Sequence, residues 1–332
     1  MSENTKTDVF GVGNAIVDTI TFVDDDFIRE HDIQKGGMTL VDSDRQATLL
    51  HALEKHPLEL RSGGSAANTM FGIAKSGGTA FYTGKVSRDP NGEFYRQDLL
   101  KAGIHFDIHP ADDGASGTCV VMTTPDAERT MCTHLGVSTT LSTPDIDVDR
   151  IKQSKFIYME GYLWDAEGPR EACLHSMTEA KKLGVTVSFT MSDPFLVGRY
   201  RDDFLKSTAE FVDVLFCNKE EACMFAEAET IEDAGRFIGE RVARAFITNS
   251  ESGCMIVENG NLQMVDGFPV TPKDTNGAGD AFAGGALFGL THDYDMVRAG
   301  RWGNYLAGQV VQQAGARLEA DVSGDVARIL AG

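Results

Sequence analysis

The sequence predicts an α/β fold in which a mainly parallel β-sheet lies between two layers of helices. From residue 156 onward, short apolar segments alternate with longer segments of helical periodicity. The apolar segments are 156–159, 185–189, 212–217 and 245–248, and the helical ones are 169–183, 219–227 and 230–243. This alternation is typical of a parallel sheet, whose ligands bind beyond the C-terminal ends of the strands. Near the N-terminus, the apolar run 9–13 predicts one more buried strand and its exit loop.

The remaining elements suggest a smaller β-structure beside this sheet. Segments 17–23, 38–41, 117–123 and 129–133 are predicted strands, and segments 44–54 and 295–313 are predicted helices. The strands 117–123 and 129–133 are joined by the turn 124–128, as in a hairpin. We find no internal repeat, linker or low-complexity segment, so we expect a single domain over residues 1–332.

Composition restricts the possible partners. The chain has 50 acidic and 30 basic residues, a formal net charge of -20, which argues against nucleic acid or an anionic membrane as a partner. It does not argue against a nucleotide, because a local site can outweigh a screened global field.

The six cysteines show no C-x-x-C spacing and no matching histidine pattern, so we expect reduced thiols in or near the core. The N-terminal segment 1–8 is polar, and no apolar run approaches the length of a membrane span. These features favour a cytoplasmic enzyme.

The segment Lys273–Gly285 contains the most informative pattern in the chain. Gly277 and Gly279 leave the backbone without side-chain cover where a loop turns into a helix. Free N–H groups and the helix dipole at such a start can bind one anion, and they suit a phosphoryl group.

Asp280 lies in the first turn of this helix, just beyond the anion cradle. The dipole stabilises a carboxylate there, so we expect a low pKa and a weak base. A weak base is sufficient in phosphoryl transfer, where the attacking hydroxyl loses its proton late. The alternative is a helix-start acid beside ordinary turn glycines.

The whole run Asp274–Asp280, D-T-N-G-A-G-D, resembles the C-terminal signature of the ribokinase-like (PfkB) kinases, and the version with Asn276 looks like the adenosine kinase branch. The resemblance implies a ribokinase-like three-layer sandwich with a small β lid formed from about 16–41 and 104–135. It also implies that Gly277, Ala278 and Gly279 form an anion hole and that Asp280 is the catalytic base.

The acceptor site is implied by two further motifs. Asn14 and Asp18, in G-x-G-N-x-x-x-D, are similar to the family's substrate motif, and an amide with a carboxylate can hold a sugar diol. Without the resemblance, a turn cap and a solvated acid would explain both residues. Gly64, Ser65 and Asn68 lie at a second glycine turn that runs into a helix of small residues, where the alternative is tight packing alone.

Two apolar residues complete the expected acceptor site. The resemblance places Leu40 in the lid over the substrate, and Tyr162 follows a strand end where an aromatic ring could stack on a purine. An edge strand and core packing are the respective alternatives.

Arg129 matches the arginine that adenosine kinases bring to the transferring phosphate. An arginine suits that role because it is always charged and can form two parallel bonds to phosphate oxygens. The alternative is a surface ion pair with Glu128 or Asp126.

The resemblance also implies an ATP and Mg²⁺ site. Glu221 of N-x-x-E would order waters around Mg²⁺, although Asn218 and Glu221 also fit a helix cap. The residues expected at ATP are Asn218, Thr248, Ser250, Gly253, Thr275, Asn276, Gly277, Gly279 and Asn304. For the segment 248–253, the alternative is a plain hairpin turn.

We therefore expect an ATP- and Mg²⁺-dependent kinase that transfers the γ-phosphate to the 5′-hydroxyl of adenosine or a related nucleoside. One alternative is a sugar kinase of the same fold, acting on fructose, ribose or a similar sugar. A second is a nucleoside-binding sensor without catalysis, which has no need of a base such as Asp280. The acceptor, a requirement for a monovalent cation such as K⁺, the manner of lid closure, and the choice between monomer and homodimer stay open.

Overall fold

The computed structural model describes residues 6–126 and 128–331. Residues 1–5 of the polar N-terminal segment and Ala127 of the turn 124–128 lie outside this description. The strands in chain order are β1 (Thr7–Val12), β2 (Ile16–Phe22), β3 (Gly37–Leu40), β4 (Glu59–Gly63), β5 (Ala80–Thr83), β6 (Ile104–His105), β7 (Gly117–Thr123), β8 (Arg129–His134), β9 (Ser154–Glu160), β10 (Thr186–Thr190), β11 (Val214–Asn218), β12 (Arg244–Thr248), β13 (Cys254–Glu258) and β14 (Asn261–Val265).

The helices in chain order are α1 (Asp25–Glu30), α2 (Ser43–Ala52), α3 (Ser65–Lys75), α4 (Pro90–Lys101), α5 (Val148–Lys152), α6 (Glu167–Leu183), α7 (Pro194–Phe211), α8 (Lys219–Ala226), α9 (Ile231–Gly239), α10 (Ala278–Thr291), α11 (Met296–Val310) and α12 (Val326–Leu330). The sequence analysis missed α7, although Asp193 caps it and Pro194 occupies its first turn. No helix among the described residues is long and apolar enough to cross a membrane.

The central sheet has nine strands in the order β14-β13-β12-β11-β10-β9-β1-β5-β6. The strands from β12 to β6 are parallel, and β13 and β14 add an antiparallel hairpin at one edge. The predicted parallel strands at 156–159, 185–189, 212–217 and 245–248 correspond to β9, β10, β11 and β12. Their C-terminal ends consequently meet along one edge of the sheet.

Helices cover both faces of this sheet. Helices α5 to α9 pack on one face, and α3, α4, α10 and α11 pack on the other. Strand β9 shows why its sequence is apolar: Ile157 and Met159 contact the first layer, whereas Phe156 and Tyr158 contact the second. A charged residue on such a strand is unfavourable unless its hydrogen bonds are satisfied. Glu160, at the end of β9, is fully buried.

A separate five-stranded sheet, the lid sheet, has the order β3-β8-β7-β2-β4. One face packs on α1 and α2 through Ile28, Leu49 and Leu53, and the other face carries Ile16, Ile20 and Val121. The lid sheet includes β4, which lies outside the two segments expected for the lid. Ile104–His105, inside the expected segment, instead forms β6 of the central sheet.

Helices α3 and α10 approach each other closely because glycines face each other at the contact. A Cβ atom on Gly284 would lie 2.6 Å from the carbonyl oxygen of Thr69 and 3.0 Å from the Cα of Gly72. Only residues without a side chain allow this distance between backbones. The N-terminal ends of α3 and α10 are therefore held side by side. The six cysteines lie in the core as predicted, with Cys223 partly exposed.

Candidate active site

The candidate site lies where the parallel strands of the central sheet end. Asn14 follows β1, Glu160 ends β9, and Ser192 follows β10. Asn218 ends β11 and Thr248 ends β12. Parallel strands bring these polar residues to one edge, which is where ligands of open α/β sheets bind.

Helix α10 begins at this edge with the predicted anion cradle. Gly277, its N-cap, has φ +74°, and a Cβ atom there would lie 1.9 Å from the carbonyl oxygen of Ala316. Gly279 differs, because a Cβ atom on it would meet nothing within 4 Å and would point into open space. The first-turn N–H groups of a helix have no carbonyl partner within it. The backbone at Gly279 therefore borders open space, whereas the N–H of Ala278 donates to the carbonyl oxygen of Thr275 at 3.4 Å.

Asp280 is held by two side chains from the start of α3. Ser65 Oγ donates to Asp280 Oδ1 at 2.6 Å, and Asn68 Nδ2 donates to Asp280 Oδ2 at 3.0 Å. Asn68 Oδ1 is buried and has no partner among the described residues. Ser65 and Asn68, which the sequence analysis assigned to the substrate, thus also fix the carboxylate in position.

The expected low pKa of Asp280 is wrong. Burial raises the pKa of Asp280 to about 6, although the hydrogen bonds from Ser65 and Asn68 lower it. Loss of hydration disfavours the charged carboxylate more than the helix start and the two donors favour it. Asp280 is consequently a stronger base than predicted, with a pKa closer to neutral pH.

Three consecutive residues bring Asp280 together with the two predicted acceptor residues. A Cβ atom on Gly63 would lie 2.4 Å from Asp18 Oδ2, and one on Gly64, where φ is +99°, would lie 2.0 Å from the carbonyl oxygen of Asn14. Ser65, next in the chain, binds Asp280. Asp18, Asn14 and Asp280 therefore surround the turn that begins α3.

Asp18 is the most perturbed acid of this group. Burial raises the pKa of Asp18 to about 7, against the lowering effect of three nearby arginines, Arg129, Arg317 and Arg61. The charge of Asp280 raises it further. The carboxylates of Asp18 and Asp280 therefore lie close enough to each other, and to these arginines, for their charges to interact where little water is present.

We expect Asp18→Asn to raise the melting temperature more at pH 8 than at pH 5, while weakening nucleoside binding about tenfold at pH 8. The folded carboxyl takes up a proton below about pH 7, whereas an ordinary aspartate does so only below about pH 3.8. Ionised Asp18 therefore destabilises the fold increasingly as the pH rises from about 4 to about 7, and asparagine removes that cost. Thermal melts and titration calorimetry would measure both effects.

Asp149→Asn is the matched control, because Asp149 is an exposed acid in the first turn of α5. The control should change neither the pH dependence of the melting temperature nor nucleoside affinity. Equal melting shifts for Asp18→Asn at both pH values would contradict the raised pKa.

Glu160 is the site residue that the sequence analysis missed. Its Oε1 accepts from the backbone N–H of Asn14 at 2.8 Å and from Asn14 Nδ2 at 3.1 Å. Its Oε2 accepts from the backbone N–H of Ala66 at 2.6 Å. Burial raises the pKa of Glu160 to about 7, although these bonds lower it. The sequence signal that could have identified Glu160 is an acid at the C-terminal end of an apolar strand.

Arg129 pairs with a residue that precedes the cradle. Its Nη1 lies 3.2 Å from Asp274 Oδ2, and both side chains are largely buried. Asp274 also accepts from the backbone N–H groups of Asn276 at 3.1 Å and Gly315 at 2.7 Å. The alternative of a surface pair with Asp126 or Glu128 is wrong, because those acids lie near Lys35 instead.

Asn218 and Glu221 form the reciprocal helix cap that was one of their two interpretations. Glu221 N–H donates to Asn218 Oδ1 at 2.8 Å, and the backbone N–H of Asn218 donates to Glu221 Oε2 at 2.9 Å. Burial raises the pKa of Glu221 to about 7. The described residues include no cluster of three or more His, Cys, Asp or Glu side chains that could hold a metal ion.

The other residues expected at ATP fall into three groups. Gly253 and Asn304 both lie against the end of β14, where Asn304 Nδ2 donates to the carbonyl oxygens of Val265 and Asp266, each at 3.1 Å. Thr275 and Asn276 belong to the loop before the cradle. Thr248 ends β12, and Ser250 follows it in an exposed position with φ +49°.

The two apolar residues expected at the acceptor lie on different elements. Leu40 is 55% exposed on β3, opposite Thr133 of β8 in the lid sheet. Tyr162 follows β9, and its hydroxyl donates to the carbonyl oxygen of Ser192 at 3.4 Å. Burial raises the pKa of Tyr162, and so do the charges of Asp193, Asp280 and Glu160. Tyr162 therefore lies near the same group of carboxylates.

Comparison with known proteins agrees with this geometry. The model of the pfkB family carbohydrate kinases matches residues 40–322. The adenosine kinase structure from Sinorhizobium meliloti is 37% identical, with a TM-score of 0.90 over 97% of this chain and 99% of that chain. A probable sugar kinase from Rhizobium etli CFN 42 is 36% identical, with a TM-score of 0.90 over 98% of each chain. Adenosine kinase 2 from Arabidopsis thaliana is 24% identical over 95% of this chain and 96% of its own length.

The structural matches confirm the predicted ribokinase-like fold, with its mainly parallel sheet and separate small sheet. Two relatives of nearly equal identity are named for different acceptors. Similarity alone therefore does not fix the acceptor.

Proposed function

The chain belongs to the pfkB family of carbohydrate kinases and is therefore a phosphotransferase, and we propose that it transfers the γ-phosphate of ATP to the 5′-hydroxyl of adenosine or a related nucleoside. One observation carries the proposal. Asp280, fixed by Ser65 and Asn68, lies one residue beyond Gly279, whose backbone faces an open volume. A base and an anion cradle at one helix start are what direct transfer to a hydroxyl requires.

The transfer would use residues already held in position. Asp280 takes the proton of the attacking hydroxyl, and Gly277, Ala278 and Gly279 bind the phosphoryl oxygens through their N–H groups. Arg129, placed beside the cradle by Asp274, adds a fixed positive charge. On the acceptor side, Asn14, Asp18 and Gly64 fix the sugar in line with the phosphate.

The donor would lie along the other strand ends. Asn218, Thr248, Ser250, Gly253, Thr275, Asn276 and Asn304 are the residues proposed for ATP. Glu221 would hold Mg²⁺ through water, since each of its oxygens keeps a lone pair beyond its bond to Asn218. The metal, when bound, neutralises charge on the phosphates.

The lid sheet would close over the acceptor, so that the chain works as one kinase domain with a β lid. Leu40 faces the same side of the lid sheet as Thr133 and would contact the nucleoside from above. Tyr162 would contact the base from the sheet edge. Closure excludes water and so limits hydrolysis of ATP without an acceptor.

A sugar kinase is the second candidate, and the probable sugar kinase from Rhizobium etli supports it. The nucleoside is favoured by Asn276 of the signature and by the aromatic ring of Tyr162 near the catalytic carboxylates. Tyr162 also packs against the core of the central sheet, as in the alternative interpretation of this residue.

The deciding experiment measures ATP consumption with Mg²⁺ against adenosine, inosine, guanosine, cytidine, ribose and fructose, with the product mass confirmed. We expect turnover on adenosine with a kcat/KM at least about tenfold above that on either free sugar, because stacking and the base edge add binding energy. Turnover on a free sugar alone would keep the mechanism and overturn the acceptor. Nucleoside binding without any turnover would favour the sensor.

A further inference from the structure

Glu160 joins two parts of the acceptor site that are far apart in the chain. It is fully buried at the end of β9, and its carboxylate accepts three hydrogen bonds, two from Asn14 and one from Ala66 at the start of α3. It also packs on Gly13, where a Cβ atom would lie 2.7 Å from Glu160 Oε2. Burying an acid is costly unless its oxygens are hydrogen-bonded, and these three bonds offset part of that cost.

The contact with Asn14 determines which end of the amide faces the ligand. Glu160 Oε1 already accepts from the backbone N–H of Asn14, so it faces Asn14 as an acceptor even when a proton is bound at Oε2, and Asn14 turns its NH₂ group toward it. The backbone of Asn14 is also fixed, because its carbonyl oxygen accepts from Tyr82 at 3.0 Å and its N–H is bound by Glu160. No described donor reaches Asn14 Oδ1. The atom left for a ligand is therefore an acceptor.

Asn68 follows the same pattern at the other side of the site. Its NH₂ group is bound by Asp280, and its Oδ1 is buried without a partner in the described part of the chain. Together with the carboxylate of Asp18, the amide oxygens of Asn14 and Asn68 give a site made of hydrogen-bond acceptors. Such a site selects a ligand that presents several hydroxyl donors.

We infer that Glu160 is a positioning residue for the acceptor: it holds the Asn14 amide with Oδ1 toward the substrate, and so makes the site selective for a sugar with its hydroxyls intact. The inference rests on the proposed function and adds to it a residue with a defined role. Glu160 acts only through Asn14 and the start of α3.

The test compares Glu160→Gln with wild type on adenosine and on its 2′-deoxy and 3′-deoxy counterparts. Glutamine can accept at only one end, so an NH₂ group faces either Ala66 N–H or Asn14. In either orientation one backbone N–H, of Ala66 or of Asn14, loses its acceptor. When the NH₂ group faces Asn14, the Asn14 side chain also loses its acceptor and can turn, which presents its NH₂ group to the substrate. We expect kcat/KM for adenosine to fall at least about tenfold, the preference over a deoxynucleoside to fall by a similar factor, and KM for ATP to stay within about twofold.

Two further variants make the test specific. Glu258→Gln is the matched control, because Glu258 is an exposed acid at the end of β13 in the same sheet. It should leave every constant unchanged. In an Asn14→Ala background, Glu160→Gln should no longer change the preference for the ribonucleoside, because the residue through which it acts is absent. An equal loss on adenosine and on the deoxynucleosides, or an effect that persists without Asn14, would overturn the inference.

A measurement on the unmodified protein covers the case in which Glu160→Gln does not fold. The side-chain NH₂ resonance of Asn14, assigned by its loss in Asn14→Ala, should exchange slowly with water because both Glu160 and burial protect it. Exchange at the rate of a free amide would overturn the inference without any substrate. Failure of the wild type to phosphorylate a nucleoside would instead overturn the proposed function, and unchanged discrimination in an active Glu160→Gln enzyme would reject Glu160 alone.

Discussion

Asp280→Asn is expected to lower kcat by about 100-fold or more, while the affinities for ATP and nucleoside stay close to those of the wild type. Asparagine keeps the size of the side chain and loses its capacity to take a proton. The Oδ1 of the new asparagine can accept from Asn68 Nδ2, and its NH₂ group can donate to Ser65 Oγ, so the contact with α3 is retained while Asn68 keeps its orientation. Steady-state kinetics and titration calorimetry of both ligands would measure the two effects.

The fold of this variant should be intact, and somewhat more stable near pH 8. Burial raises the pKa of Asp280 to about 6, so its ionised form costs stability above that pH and asparagine removes the cost. Asp149→Asn, an exposed acid at the start of α5, is the matched control and should have normal kcat. Near-normal turnover by Asp280→Asn would exclude Asp280 as the base.

The pH profile gives an independent readout of the same residue. We expect wild-type kcat/KM to fall as the pH decreases through the range in which Asp18 and Asp280 take up protons, about 7 to about 6. A protonated Asp280 cannot accept the hydroxyl proton. In Asp280→Asn, the contribution of Asp280 to this decline should be absent from the residual activity.

Gly279→Ala is expected to lower kcat/KM for ATP about 100-fold or more without lowering the melting temperature. A Cβ atom there meets nothing within 4 Å, so the fold accommodates it, and alanine is a better helix former than glycine. The methyl group nevertheless enters the volume proposed for the phosphoryl group. Loss of those N–H contacts removes stabilisation of the transferring charge.

Gly277→Ala is the informative comparison, because we expect it to lower both stability and activity, whereas Gly279→Ala should lower activity alone. At Gly277 a Cβ atom would lie 1.9 Å from the carbonyl oxygen of Ala316, and φ is +74°, so alanine should lower the melting temperature as well as activity. Melting curves and ATP kinetics of both variants would distinguish a loss of stability from a loss of phosphoryl binding. Full activity in Gly279→Ala would show that the phosphoryl group does not bind at this helix start.

Local patterns in the sequence were sufficient for the part of the site that one segment builds. The glycine-rich start of α10 and the acid in its first turn lie within Asp274–Asp280, so their geometry follows from residues that are close in the chain. The pKa of Asp280 was mispredicted because burial raises it, and that burial depends on the packing of α3 against α10, which are distant in the chain.

Contacts between distant segments could not be predicted from the sequence. Glu160 binds Asn14 across 146 positions in the chain, and Arg129 meets Asp274 only when the lid sheet lies against the cradle loop. Arg129, for example, has many possible partners in a chain with 50 acids. The fold class could be predicted from the sequence, because the periodicity of apolar residues indicates which residues are buried even when the residues they contact are unknown.

The backbone contact between Gly72 and Gly284 fixes the distance between helices α3 and α10. The spacing between the base on α10 and the residues that hold it on α3 is set by atoms that have no rotamers, and any larger residue would push the helices apart. We therefore expect differences in acceptor among related kinases to lie in the lid sheet and in the loops after the strands. The adenosine kinase from Sinorhizobium meliloti and the probable sugar kinase from Rhizobium etli each match this chain with a TM-score of 0.90.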